Sequence, residues 1–173
     1  MHFLTTTKRV ALHLSLATCL LFLVAAAVGQ TAPSSSKEVP MTQHATGPFD
    51  VKITHKDDNS SDPLLARMTL DKQYHGDLEA TGQGQMLTAG TAVKGSGAYV
   101  AIEKVTGTLK GRTGSFVLQH SGTMTQNVPQ LTIIVVPDSG SGQLAGITGK
   151  MTITIAPGGK HSYDFEYTLP AAP

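Results

Sequence analysis

Cysteine is nearly absent from this sequence of 173 residues, since Cys19 is the only one. It lies inside an apolar run, residues 10–28, that we expect to be removed from the mature protein. The mature chain would then have no disulfide bond and no thiol chemistry, so its stability would depend on its core alone. Lipid attachment at Cys19 is a minor alternative, because Thr18 is a poor residue before a lipidated cysteine and the apolar run continues beyond it.

The apolar run has the features of a secretion signal. Lys8 and Arg9 precede it, and it ends in the small residues of Ala27-Val28-Gly29. A basic start, an apolar centre and a small-residue end are typical of a cleaved signal peptide. We therefore predict that residues 1–29 are removed near Gly29 and that the protein is exported, either to a periplasm or out of the cell. The alternative is an uncleaved membrane anchor, because about 20 apolar residues can span a bilayer.

An excess of charge of either sign is also missing. The chain has 13 basic and 12 acidic side chains, and removal of Lys8 and Arg9 leaves 11 basic ones, a balance of −1. Nucleic acids and anionic lipid surfaces select clustered positive charge. We therefore predict no nucleic-acid partner and no stable membrane insertion after cleavage, and nothing in the sequence indicates an oligomer.

Helical periodicity is absent from the rest of the chain. Residues 30–46 are rich in proline and serine, a composition that predicts a flexible linker. From Gly47 to the end, apolar and polar residues alternate in short runs, which predicts β-strands. The inward-facing sets are Phe49-Val51-Ile53, Ala66-Met68-Leu70, Met151-Ile153-Ile155 and Tyr163-Phe165-Tyr167-Leu169, and residues 131–136 form a continuous apolar run. Residues 47–173 are predicted to be one all-β domain.

Glycine marks the turns between these strands. Residues 107–114 and 142–149 share the pattern G-x-L-x-G-x-T-G, and each leads into a strand-like run. Glycine tolerates positive φ, so this pattern predicts a strand end, a turn and a new strand. Many strands with short turns leave exposed edges unless the sheet closes. We predict a single closed antiparallel barrel of about eight strands, whose interior could be filled by side chains or hold one small ligand.

Known cofactor and metal motifs are missing as well. Gly149-Lys150 resembles the end of a phosphate-binding loop, but Leu144 stands where that loop needs glycine, and Met151 follows the lysine. The mature histidines have no metal-ligand spacing; they are His44, His55, His75, His120 and His161. We predict neither a metal nor a cofactor.

The predicted hairpin of residues 98–124 carries the candidate chemistry. Glu103 on its first strand and His120 on its second share the predicted inner face. A four-residue loop would place them directly opposite each other, and a loop two residues longer in effect would make them diagonal neighbours on the same face, still within reach. A carboxylate beside an imidazole among apolar groups could act as an acid–base pair. Two alternatives remain open: the pair satisfies only itself, or the face of Val100 and Ile102 is the buried one.

Further residues could contact a ligand in such a barrel. Arg112 in the turn could bind an anionic group at the rim, although a turn arginine is commonly solvated. The candidate walls of a ligand site are Tyr99, Phe116, Leu118 and Tyr163, for which core packing is the alternative use.

Most of the chain from Gly47 to Leu169 resembles one bacterial family, named domain of unknown function 3224. The resemblance is carried by GSGAYVAIE at 95–103, GTL at 107–109, GRTGSFVLQH at 111–120, VPDSGSGQLAGITG at 136–149 and YDFEY at 163–167. It implies a compact barrel similar to allene oxide cyclase and the calycins, and it implies no activity. The predicted leader departs from the family's commonly cytosolic members.

Three functions are compatible with these observations. The first is binding of a small, largely apolar molecule, with Glu103 and His120 as polar contacts. The second is a cyclase- or isomerase-like enzyme that uses Glu103 and His120 as acid and base. The third is a packed structural or interaction domain without a ligand.

Overall fold

A computed structural model describes residues 41–56 and 62–170. The predicted signal peptide, most of the predicted linker and the last three residues lie outside the described residues. Within them the chain forms nine β-strands and no helix, and so none that could cross a membrane. The strands are β1 Gln43–Lys56, β2 Leu65–Tyr74, β3 Leu78–Gly90, β4 Gly97–Leu109, β5 Arg112–Thr125, β6 Val128–Val135, β7 Ser141–Gly142, β8 Thr148–Ile155 and β9 His161–Thr168.

The sheet closes on itself, as the sequence predicts. All neighbouring strands are antiparallel, in the order β4-β3-β2-β1-β9-β8-β6-β5, and β5 returns to pair with β4. The short β7 pairs with the beginning of β5, at Gly114 and Ser115, whereas β6 pairs with the rest of β5. Closure removes the sheet edges that a strand-rich domain of this size would otherwise expose. The eight-stranded closed antiparallel barrel is therefore confirmed.

The first strand begins before the predicted domain boundary. Residues 43–46, assigned to the linker from their composition, pair with β9 as part of β1, and Ala45 lies fully buried opposite Phe165. A single small apolar residue among polar ones gives no clear alternation. For this reason the sequence places the start of the domain at Gly47 rather than at Gln43.

Apolar side chains fill one end of the barrel. The loop between β6 and β8 inserts Leu144 and Ile147 into this end, and both are about 1% exposed. Phe116 stacks on Phe165 in the same core, with ring centroids 5.4 Å apart. We call this end, closed by Leu144 and Ile147, the closed end; the other, where β4 begins and β5 ends, is the open end.

Candidate functional site

The turn between β4 and β5 sets the register of the candidate pair. Lys110 and Gly111 form a two-residue turn with φ of 44° and 82°, the left-handed conformation of tight hairpins. The four-residue loop that would place Glu103 opposite His120 is therefore not formed, and Glu103 lies opposite Leu118. Shortening a loop by two residues preserves the face of every side chain. Glu103 and His120 accordingly stay on the inner face as diagonal neighbours.

Glu103 is the centre of a buried polar cluster. Its side chain is fully buried, and Lys72 Nζ donates a hydrogen bond to its Oε2 at 2.7 Å. The Tyr74 hydroxyl donates to Oε1 at 2.8 Å, and Lys72 Nζ also lies 3.2 Å from the Tyr74 hydroxyl oxygen. His120 Nε2 lies 3.1 Å from Oε2. Val100 and Ile102 are each 53% exposed, so the alternative in which their face is buried is wrong.

Two glycines of β3 make room for this carboxylate. A Cβ atom at Gly82 would collide with Glu103 Oε1, and one at Gly84 would lie 2.6 Å from the carbonyl oxygen of Ile102 and 3.1 Å from the Glu103 Cα atom. Gly84 is the direct cross-strand partner of Glu103. Glycine is used where another group approaches the backbone closely. The β3 sequence Gly82-Gln83-Gly84 thus accommodates the buried acid on the neighbouring strand.

The surroundings of Glu103 keep it ionised. Burial by itself raises the pKa of this carboxyl group, because the carboxylate loses its hydration. Contact with His120 and the charge and hydrogen bond of Lys72 more than offset burial, so the pKa of Glu103 lies below its ordinary value. Burial, the negative charge of Glu103 and their hydrogen bond raise the pKa of Tyr74 well above its ordinary value. At neutral pH the cluster therefore contains a carboxylate and a neutral phenol.

An apolar cavity of about 290 Å³ lies above this cluster at the open end. Apolar side chains form most of its walls, and Lys72 and His120 are the buried polar residues that line it. The lining residues are Phe49, Val51, Ile53, Leu70, Lys72, Met86, Thr88, Tyr99, His120, Leu131, Ile153, Ile155 and His161. The barrel is thus filled at one end and hollow at the other.

His120 has an unsatisfied ring nitrogen beside this cavity. Its side chain is 3% exposed, and Nε2, although 3.1 Å from Glu103 Oε2, is not directed for a hydrogen bond. Among the residues that the structure describes, Nε2 has no other hydrogen-bond partner. Buried polar groups in folded proteins are almost always paired. An unpaired imidazole nitrogen at a cavity wall is therefore a candidate ligand contact.

The other predicted ligand contacts divide into two groups. Tyr99 lines the cavity, half-buried against Leu70 and Met86, and burial followed by the charge of Glu103 raises the pKa of its hydroxyl. Phe116, Leu118 and Tyr163 belong to the packed core instead. Tyr163 donates to the carbonyl oxygen of His75 at 3.0 Å and accepts from the backbone N–H of Leu78 at 2.9 Å.

Arg112 lies far from the cavity along β5. It follows the β4–β5 turn at the closed end, where Leu109 is its cross-strand partner. The cavity opens at the other end of the same two strands, near Tyr99. The predicted role of Arg112 at the rim of the ligand site is therefore not supported by its position.

Lys72 is the site residue that the sequence interpretation missed. The alternation Ala66-Met68-Leu70 on β2 continues to Lys72 and Tyr74, which puts both on the inner face. A lysine is almost never fully buried unless it is paired, so its charge argues for an outward position. The signal that could have placed it inside is the unbroken alternation up to Tyr74.

No group of three or more metal-ligating side chains occurs within residues 41–56 and 62–170. The buried cluster offers one carboxylate, one imidazole and one ammonium group, and the ammonium already neutralises the carboxylate. A metal cation would have to compete with Lys72 for Glu103. This donor set does not fit a metal site.

The described residues thus form a closed eight-stranded antiparallel barrel with an apolar cavity over a buried ion pair. The chain belongs to the DUF3224 family, described as a protein of unknown function, whose model matches residues 45–167. A solved DUF3224 protein of unknown function from Shewanella oneidensis MR-1 is similar to it, at 50% sequence identity and a TM-score of 0.71. The similarity covers 76% of this chain and 100% of that one. No curated protein matches the chain.

Proposed function

We propose that the protein binds a small, largely apolar molecule in the open end of its barrel. The observation that carries this proposal is the cavity at the open end, which is lined mostly by apolar side chains together with the buried polar residues Lys72 and His120. Ligand sites in proteins are concave, mostly apolar and supplied with a few polar groups that orient the ligand. At the roughly 30 Å³ that one water molecule occupies in the liquid, the cavity has room for about ten water-sized groups.

The rim of the cavity supports an apolar ligand. Ile53, Leu131 and Ile155 line the opening and are 52%, 42% and 64% exposed. Large apolar side chains grouped on a surface mark interaction sites more often than isolated ones do. A ligand that enters between these residues would cover them and lose its own contact with water.

The contact between Glu103 and His120 favours a second candidate function, an isomerase- or cyclase-like enzyme. In such an enzyme His120 would exchange protons with the substrate, because it lines the cavity. Glu103 would orient the imidazole. Hydrogen bonds from Lys72 and Tyr74 would hold the Glu103 carboxylate in place for this role. Glu103→Gln should then retain the ligand and lose turnover, whereas in a pure binding protein there is no turnover to lose.

We also propose that the protein acts after export. The support is the apolar run of residues 10–28 after Lys8-Arg9 and its small-residue end. Export would place the barrel where small apolar molecules arrive from outside the cell or from its envelope.

Native mass spectrometry of the protein purified from the cells that produce it tests the binding proposal. We expect an additional mass of a small molecule that is lost on denaturation. Thr88→Phe, at the cavity wall, should remove this mass, whereas Thr81→Phe, exposed on the outer face of the same strand, should keep it. If the wild-type protein carries no molecule and binds no apolar compound added in solution, the proposal is wrong and the barrel is a ligand-free interaction domain.

A further inference from the structure

The polar groups at the floor of the cavity leave one hydrogen-bond donor of Lys72 unused. The Lys72 ammonium has three N–H donors and the Tyr74 hydroxyl has one, while Glu103 supplies the two carboxylate oxygens. Lys72 uses one donor on Glu103 and one on the Tyr74 oxygen, and Tyr74 uses its own on Glu103. The structure gives the third N–H of Lys72 no oxygen or nitrogen acceptor among the described residues. Lys72 Nζ also lies 5.2 Å from the ring centroid of Phe49, a residue that lines the cavity.

His120 adds a second unused donor. A carboxylate oxygen 3.1 Å from Nε2 favours a proton over a lone pair on this nitrogen, so we assign a proton to Nε2. This N–H is not aligned with Glu103 Oε2 and has no acceptor within the described part of the chain. The floor therefore presents two unused N–H groups and needs an acceptor from outside the protein.

The charges of the floor already cancel. Lys72 and Glu103 form a buried ion pair at 2.7 Å, and the side chains are 5% and 0% exposed. A second anion would enter a site without net positive charge and would lose its hydration without full compensation. An uncharged acceptor satisfies the free donors without this cost.

We infer that the ligand carries an uncharged carbonyl oxygen, as in a ketone, aldehyde or ester, that accepts hydrogen bonds from Lys72 and His120 while its apolar remainder fills the cavity. This inference rests on the proposed function and adds the chemical class of the ligand. A hydrocarbon would leave both N–H groups unsatisfied, and a carboxylate would bring an unpaired charge.

Three probes of similar size separate these possibilities: ethylbenzene, acetophenone and benzoate. Each is titrated into the ¹⁵N- and ¹³C-labelled protein at neutral pH, and the shifts of the Tyr99 and Met86 signals report occupation of the cavity. We expect acetophenone to bind about tenfold more tightly than ethylbenzene, as one hydrogen bond from a charged donor would give. Benzoate should bind more weakly than acetophenone. The Lys72 Nζ signal should shift with acetophenone and not with ethylbenzene.

The outcomes separate the two claims. If none of the probes reaches the cavity, the proposed function fails together with this inference. If ethylbenzene binds as tightly as acetophenone, the cavity binds apolar molecules but the carbonyl inference is wrong. If benzoate binds most tightly, the polar end of the ligand is an anion and the inference is again wrong.

A paired variant checks which groups provide the preference. Lys72→Met combined with Glu103→Gln removes both charges together, so neither partner is left buried alone. The preference for acetophenone over ethylbenzene, measured as the ratio of the two affinities within the same variant, should fall from about tenfold to less than about twofold. Lys104→Met, on the outer face of β4, is the matched control and should keep the preference. A preference that persists in the paired variant would overturn the role of Lys72, and the wild-type titration tests the inference even if this variant fails to fold.

Discussion

Lys72 Nζ lies 2.7 Å from Glu103 Oε2, and the two side chains are 5% and 0% exposed. They come from β2 and β4, which are separated in the sheet by β3 and its glycines at positions 82 and 84. The absence of side chains at these glycines lets the ion pair form across the intervening strand. The pair is the polar floor of an otherwise apolar barrel.

Removal of one partner of this pair should destabilise the fold strongly. Lys72→Met leaves the Glu103 carboxylate buried without its cation, which costs about 3–5 kcal/mol in comparable buried pairs. Urea unfolding followed by circular dichroism measures the loss. Lys104→Met, at an exposed position of β4, should change the free energy of unfolding by less than about 0.5 kcal/mol. Equal effects of the two variants would show that the buried pair has no special role in stability.

Stability should fall in acid because of Glu103. The pKa of Glu103 is lower in the folded protein than in the unfolded chain, so the unfolded state takes up the proton more readily. The stabilisation is complete above the ordinary glutamate pKa and is lost as the pH falls through the lower pKa of the folded state. Urea midpoints of wild type and Glu103→Gln, measured across this acidic range, should converge as the pH falls. Parallel curves would contradict the lowered pKa.

Gly82→Ala should disturb the cluster without changing any polar group. The new methyl group would collide with the Glu103 carboxylate and lie 3.0 Å from the Tyr74 ring, so we expect a loss of about 1–3 kcal/mol. Gly90→Ala, at the end of the same strand, meets only the Leu64 carbonyl oxygen at 3.7 Å and is the matched control. Thermal unfolding of both variants checks this; a Gly82→Ala variant as stable as Gly90→Ala would contradict the close packing.

The mass of the mature protein tests the predicted leader. The full chain has a mass of 18.1 kDa, and cleavage near Gly29 removes residues 1–29 from it. Intact mass spectrometry of the protein from its own cells should give a chain that begins at or near Gln30. A full-length mass would indicate an uncleaved anchor, and an added lipid mass on Cys19 would indicate a lipoprotein.

The strands and the common face of Glu103 and His120 could be predicted because both follow from alternation. The side chains of Tyr163, Phe165 and Tyr167 alternate with polar ones, and all three are buried on β9. The face shared by Glu103 and His120 depends only on whether the loop has an even number of residues, so it could be predicted without knowing the length of the loop.

The hollow end of the barrel and the partner of Glu103 could not be predicted in the same way. The two segments with the pattern G-x-L-x-G-x-T-G, residues 107–114 and 142–149, both bury their leucine at the closed end, Leu109 and Leu144. Only the first segment forms a hairpin. Which end a loop fills depends on the three-dimensional path of residues 136–147, which no local pattern specifies. Lys72 is neutralised by a residue 31 positions away, and sequence spacing does not reveal such a contact.

A crystal structure of the protein grown with acetophenone tests the central claim most directly. We predict electron density for the probe between Tyr99, Leu70 and Met86, with its oxygen within hydrogen-bond distance of Lys72 Nζ or His120 Nε2. Density for side chains that fill this space, or a saturated crystal with an empty cavity, would contradict the proposal that the open end of the barrel is a ligand site.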